Sequence, residues 1–348
     1  RHGLTPLLCR HLHDLALDEC PAELLAQLKA ATQHSVVASL AQASEMVAVL
    51  DALRAVGVSA LAIKGPVSAT LCYGDFGLRT FSDIDLLVEP AAVAAASELL
   101  ESRGYAPQFK LSPAWQARLV RLGTEHLFRH ADGRRLVDLH WCLMPRGYSF
   151  TPGRDGVFAR RQTVRIGAAE VPTLGDEPTL LFLLLHGMKH DWESLGWLTD
   201  VAELLRRKPA LDWDAVLAWS APRGPRRMVD VGLALAHELL GAPVPVAALR
   251  RGEADAEVAH IVSAIRQRHL APSPASLSLT ERSVGLLYFR AMQRSSDRLH
   301  FLHDVVLRPT PLEWDAVALP PALAPLHYLV RPVRLLWKHA VPVRAVHR

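Results

Sequence analysis

Apolar positions change their spacing twice along the chain, and those changes divide it. From 4 to 57 the spacing is helical. Leu4, Leu7, Leu8, Leu15 and Leu17 give a partly periodic stripe, and 36–57 reads as an amphipathic helix closed by Gly57. Packing rather than recognition is the role expected of this segment. From 59 the pattern shortens. Leu61-Ala62-Ile63 is a strand-length apolar run, a helix follows Gly65-Pro66, and Ile84-Asp85-Leu86-Leu87-Val88 is a second strand with acidic residues at its start. An Ala-rich helix over 90–103 ends at Gly104. Strands are expected near 105–110, 124–130 and 134–142, and the turn Ala131-Asp132-Gly133-Arg134 makes the last two an antiparallel hairpin. Residues 151–172, with Pro152, Gly153 and Gly156, read as loop with short strands at 162–166 and 170–171, the expected domain boundary.

Helical spacing returns at Asp176-Glu177-Pro178, where acidic residues suit a helix start. Leu180 to Leu185 is apolar on every side and predicts a buried helix. More helices are expected over 211–270, broken at Pro222-Arg223-Gly224-Pro225 and Gly241-Ala242-Pro243. A Pro/Ser linker at 271–276 and a helical 279–294 follow. The tail 307–348 is rich in proline and is expected to wrap over the body. Within it, 326–338 reads as an amphipathic helix, with Leu326, Leu329, Leu335, Leu336 and Trp337 packed internally by default and docking on a partner or a membrane surface as the alternative. The fold class is therefore α+β, a mixed sheet of about four or five strands flanked by helices. The expected division is an N-terminal helical segment (1–57), a sheet domain (58–172), a helical domain (173–306) and the tail (307–348).

Composition changes this picture little. Half of the 348 residues are hydrophobic, as in a globular chain, and a formal net charge of +4 is too mild to argue for nucleic acid. Cys9, Cys20, Cys72 and Cys142 form no CxxC pair, and Cys72 and Cys142, in apolar segments, read as buried thiols in a reducing cytoplasm. No apolar run is expected to reach the ~20 residues of a membrane span, and no signal peptide is visible.

The candidate chemistry sits at 61–88. Positions i and i+2 of a strand share a face, so Asp83 and Asp85 point the same way. Two carboxylates on one face repel unless a cation or water separates them, and hard oxygen ligands favour Mg²⁺ or Mn²⁺. Gly65 suits a tight strand-to-helix turn, and the helix N-terminus after it offers free N–H groups to a phosphate. Lys64 and Arg79 add a basic residue at each flank. This is the equipment of phosphoryl or nucleotidyl transfer. Asp138 and His140 share a face of a later strand, where an acid is costly unless paired or bound. His186 and His190 share a helix face, but without Glu at 187 they do not form a zinc-protease pattern, and a polar cluster at the cleft is expected.

Gly65 opening a helix, with Asp83-x-Asp85 starting an apolar strand, resembles the DNA polymerase beta-like nucleotidyltransferase superfamily. Within it, KGP…YGDFGLRTFSDIDLLV, VDLHW at 137–141 and LHGMKHDWESLGWLTDVAELL at 185–205 are similar to a family of uncharacterised bacterial nucleotidyltransferases, from about residue 45 onward. The resemblance implies a catalytic, metal-binding triad of Asp83, Asp85 and Asp138. It also implies a nucleotide held by Lys64, Gly65, Ser68, Arg79, Ser82, His140, His186, Lys189 and His190. Lys189 would touch phosphate, and Asp200 would orient a histidine, cap a helix or serve structure alone. The superfamily's usual turn is Gly followed by Gly or Ser. Here Pro66 follows Gly65, and Ser68 is a displaced substitute for the hydroxyl. The implied reaction moves a nucleoside monophosphate, usually from ATP, to a hydroxyl or similar acceptor on a small molecule, peptide or protein, with Mg²⁺ or Mn²⁺. An inactive binding or regulatory protein and a phosphotransferase are the alternatives. Without an RNA-binding module or basic stripe, nucleic acid is not an expected partner.

Overall fold

A computed structural model describes residues 3–15, 20–144, 154–220, 225–271, 285–317 and 319–340. The chain begins with α1 (Thr5–Asp14) and the long α2 (Ala22–Ala55). The sheet follows, with β1 (Ala60–Ala62), α3 (Pro66–Tyr73), β2 (Ile84–Val88), α4 (Val93–Ser102), β3 (Tyr105–Pro107), α5 (Pro113–Leu122), β4 (Glu125–His130) and β5 (Leu136–His140). It closes with α6 (Arg154–Ala159), β6 (Arg161–Ile166) and β7 (Ala169–Leu174). From there the chain is helical: α7 (Asp176–Lys189), α8 (Leu195–Arg207), α9 (Trp213–Ser220), α10 (Arg226–Leu240), α11 (Val246–Glu253), α12 (Ala256–Leu270), α13 (Leu286–Ala291), α14 (Ser295–Leu302), α15 (Pro311–Ala316) and α16 (His327–Ala340). The linker at 271–276 and the breaks at Pro152-Gly153 and Pro222-Arg223-Gly224 lie largely outside the described residues.

The described strands form one seven-stranded mixed sheet in the order β3-β4-β5-β2-β1-β7-β6, wider than the four or five strands expected. The five expected strands form, the short β3 pairing with β4, and the difference is the β6–β7 hairpin, which joins at the other side with β7 parallel to β1 at Ala62 and Thr173. The short strands expected at 162–166 and 170–171 thus belong to this sheet, as Arg161–Ile166 and Ala169–Leu174. The Thr173 hydroxyl donates to the Ala62 carbonyl at 2.6 Å, and Val171 and Leu174 are buried. β2 is buried along its whole length because it lies between β1 and β5 and is covered by helices. The β4–β5 hairpin forms as expected, with Gly133 at φ +72° in its turn.

α7 is buried almost throughout, with Leu180 to Leu185 all inside. α8 packs on α3, and α10 packs on α7 and α8, so the helical region closes over the sheet beside β1 and β2. Two expectations fail at the ends of the chain. By length and composition α2 is long and apolar enough to cross a membrane, because alanines extend its apolar run; a third of that stretch is buried here. In α16, Leu329, Leu336 and Trp337 are about 70% exposed instead of packed inward. What ties α16 down is polar: Arg331 and Arg334 both bind Glu313, which is fully buried at α15.

Candidate active site

The site grows from strand register. Asp85 of β2 stands directly beside Asp138 of the parallel β5, so their side chains share a face of the sheet. His140, two residues on, lies opposite Glu125 of β4 across the antiparallel ladder. Lys64 follows β1 directly, and the neighbouring Ile63 amide bonds to the Asp85 carbonyl at 3.1 Å. These positions build a line of charge. The Lys64 ammonium donates to Asp85 Oδ1 at 2.7 Å, and His140 Nε2 reaches the same oxygen at 3.0 Å. His140 Nδ1 lies 3.1 Å from Glu125 Oε2.

With a carboxylate on each ring nitrogen, His140 is an imidazolium. Burial alone would lower its pKa, but hydrogen bonds and charge from Asp85 and Glu125 raise it to about 9. The same contacts overcome burial at both acids. Lys64 and His140 hold Asp85 well below the usual carboxylate range, and His140 holds Glu125 at about 2. Among the described residues Asp138 has no such partner. Burial pushes its carboxyl up to about 6, with the charges of Glu125 and Asp85 adding to the rise and His140 opposing it. Asp83, one residue before β2, is raised first by burial and then by Asp85.

The three sequence-predicted acids meet unequally. Asp85 and Asp138, with His140, each offer an atom within 4.8 Å of the others. Asp83 sits beside Asp85 and lines a cleft of about 660 Å³ with it, while Asp138 lies outside that lining. A divalent metal suits this donor set. Both nitrogens of His140 are spent on carboxylates, which leaves the oxygens of Asp83, Asp85 and Asp138, hard ligands of the kind Mg²⁺ and Mn²⁺ take. Among the described residues around the line, four cationic groups (Lys64, Lys189, His140, Arg79) face five carboxylates (Asp83, Asp85, Asp138, Glu125, Asp200). The surplus is negative, as a cation site requires.

The turn before α3 has the form the sequence predicts. Gly65 adopts φ +61°, ψ −128°, a conformation open to glycine, and caps α3. Ser68 lines the cleft, but its hydroxyl donates back to the Ile63 carbonyl at 3.3 Å and does not replace the missing turn hydroxyl. Ser82 is exposed and donates to Asp83 Oδ1 at 3.3 Å. Arg79 is committed to the protein. Its Nε lies 2.7 and 2.8 Å from the two oxygens of Asp200, and its Nη1 donates to the Thr80 carbonyl at 2.7 Å. Tyr73 donates to the same Asp200 at 2.6 Å. Asp200 therefore neither orients a histidine nor caps α8; it ties α8 to α3 and to the loop before β2.

The far wall of the cleft comes from α7 and α8. His186, His190 and Trp197 line it, and Lys189 does not. Its charge acts on both walls, helping to lower the Glu125 carboxyl and the two imidazoles. Burial lowers His186 well below its ordinary value and His190 to about 4, so both rings are neutral at pH 7.

Sequence reasoning missed three contributions. Glu125 was legible in principle, since a hairpin centred between Asp132 and Gly133 pairs it with His140. Trp197 carried no assigned role. Gly3, Thr5 and Ser35 bring the N-terminal segment, read as packing alone, into the cleft lining; the Gly3 carbonyl also accepts from the Thr80 amide at 3.2 Å.

Comparison with known proteins gives partial likenesses and one family. The lincosamide antibiotic adenylyltransferase LnuA, solved with lincomycin bound, is 17% identical over 46% of this chain and 94% of its own, at a TM-score of 0.34. An antigenic nucleotidyltransferase-like protein from Paracoccidioides brasiliensis is 16% identical over 57% and 88%, at 0.38. The antibiotic-resistance factor ANT(2'')-Ia is 15% identical over 52% and 90%, at 0.33. No curated protein matches the chain. Residues 1–241, more than half of the chain, match the family described as uncharacterised nucleotidyltransferase, and the protein belongs to that family.

Proposed function

We propose that the protein transfers a nucleoside monophosphate, AMP from ATP, to a hydroxyl or similar acceptor on a small molecule, peptide or protein, with Mg²⁺ or Mn²⁺. The observation that carries this reading is the register of Asp85 beside Asp138 on adjacent parallel strands, next to a glycine-led helix start and a surplus of carboxylate charge. Asp83, Asp85 and Asp138 would hold the metal, which supplies Lewis-acid stabilisation of the phosphate oxygens. The N–H groups at the start of α3, with Lys64, face the triphosphate. Asp138, whose carboxyl is raised to about 6, takes the proton from the acceptor hydroxyl. The acceptor oxygen bonds to the α-phosphorus as the bridge to the β-phosphate breaks, and pyrophosphate leaves. His140 and Glu125 touch no reacting atom in this scheme. They fix Asp85 in place and balance its charge.

Mass spectrometry of the purified protein incubated with ATP, Mg²⁺ or Mn²⁺, and a cell extract tests the reading. A nucleotidyl adduct with pyrophosphate supports it. A phosphoryl adduct with ADP assigns the site to phosphotransfer instead.

A further inference from the structure

His186, His190 and Trp197 form a mutually packed group of rings on the helical wall. The two imidazoles lie 4.9 Å apart, and each lies 5.3 Å from the Trp197 indole, edge-on for His186 and tilted for His190. Phe182 continues the row at 5.9 Å from His186, and the Lys64 ammonium sits 5.5 Å from the Phe182 ring. The row therefore starts where Lys64 meets Asp85 and climbs α7 away from it. The backbone holds its upper end in place. Asp191 and Trp192 adopt φ +48° and +52°, and the fully buried Trp192 ring fills the space above Gly187 and Gly232, where a Cβ would come within 2.3 and 2.5 Å of neighbouring side chains. Asp191 holds the start of the distant α13 by accepting from the Tyr288 amide at 2.8 Å. A left-handed backbone at two non-glycine residues is costly and persists only where packing enforces it.

We propose that this ring surface seats the nucleobase of the donor nucleotide, an inference that rests on the nucleotidyl-transfer reading. Beyond Lys64 at its foot, the His186 and His190 rings of this surface are neutral, so it suits a planar apolar face better than a phosphate. Lys189, on the same turn as His190, does not line the cleft. Asp83 and Asp85 line the cleft together with the rings. Aromatic stacking tolerates any base because every base has a π-face. ATP and GTP therefore bind with affinities within about ten-fold of each other.

The test compares ATP with inorganic tripolyphosphate, both with Mg²⁺, by calorimetry on the full chain. Wild type is expected to bind ATP at least about ten-fold more tightly than tripolyphosphate. Trp197→Ala should erase most of that preference while leaving tripolyphosphate affinity unchanged, and Trp197→Phe should restore it. His190→Ala gives a second, independent loss of preference if Trp197→Ala does not fold. An ATP preference unchanged in both alanine variants overturns the inference and leaves the nucleotidyl-transfer reading standing. Failure of wild type to bind either ligand overturns both.

Discussion

The two walls of the cleft are built from opposite chemistry. The sheet wall is a line of charge, Lys64–Asp85–His140–Glu125, with Asp138 beside it and two of its members almost fully buried. On the helical wall the exposed surface is neutral rings, and among the described residues lining it the charged pair Arg79–Asp200 is turned inward to join elements. A charged wall changes with metal and proton; a ring wall with fixed backbone does not. The sheet wall is thus suited to chemistry and the helical wall to holding a substrate still.

The largest expected effects separate neighbouring acids on the sheet wall. Asp83→Asn should abolish transfer with the melting temperature held or raised, because it removes a carboxylate that burial and Asp85 already disfavour. Asp85→Asn should abolish transfer and also destabilise by about 3 kcal/mol or more, because it strands the buried charges of Lys64 and His140. Parallel assays of pyrophosphate release and urea unfolding check both. Equal stability losses in the two variants would erase the distinction drawn between them.

Arg79→Ala probes the helical wall. If Arg79 were a free phosphate contact, the variant would lose nucleotide affinity and keep its stability. The buried pair with Asp200 predicts the reverse order, a loss of about 3 kcal/mol in urea unfolding as the primary effect.

A smaller effect has a sign set by pH. The Asp138 carboxyl stands at about 6 in the folded protein against 3.8 ordinarily. A raised carboxyl costs stability above its folded pKa and nothing below its unfolded one. Asp138→Asn, in chelator, should therefore melt higher than wild type at pH 7.5, with the gain shrinking as pH falls through 6 and gone below 3.8. The smallest expected change is Ser68→Ala, which removes one hydrogen bond to Ile63 worth about 1 kcal/mol. Transfer rates should stay within about three-fold, since that hydroxyl is already engaged.

The sheet wall was the more legible half. Alternation along Asp83–Val88, the glycine at 65 and an acid inside the apolar strand at 138 are local signals, and each predicts its own geometry. What the sequence hid is long-range pairing. Asp200 binding Arg79 spans 121 positions, and Thr173 reaching Ala62 spans 111; neither leaves a periodic trace. The width of the sheet was missed for the same reason, because β7 joins β1 in parallel across the whole catalytic segment. At α16 the helix was legible and its packing was not. An amphipathic pattern says which residues share a face, and only the fold decides whether that face is covered.

The central claim is that the carboxylates at the start of β2 and in the middle of β5 hold a divalent cation together with a nucleotide. A manganese titration followed by electron paramagnetic resonance, with a non-hydrolysable ATP analogue present, tests it most directly. The account predicts bound Mn²⁺ in wild type, and affinity weakened at least about ten-fold in both Asp83→Asn and Asp138→Asn with the fold intact. Mn²⁺ affinity unchanged in both variants would contradict it.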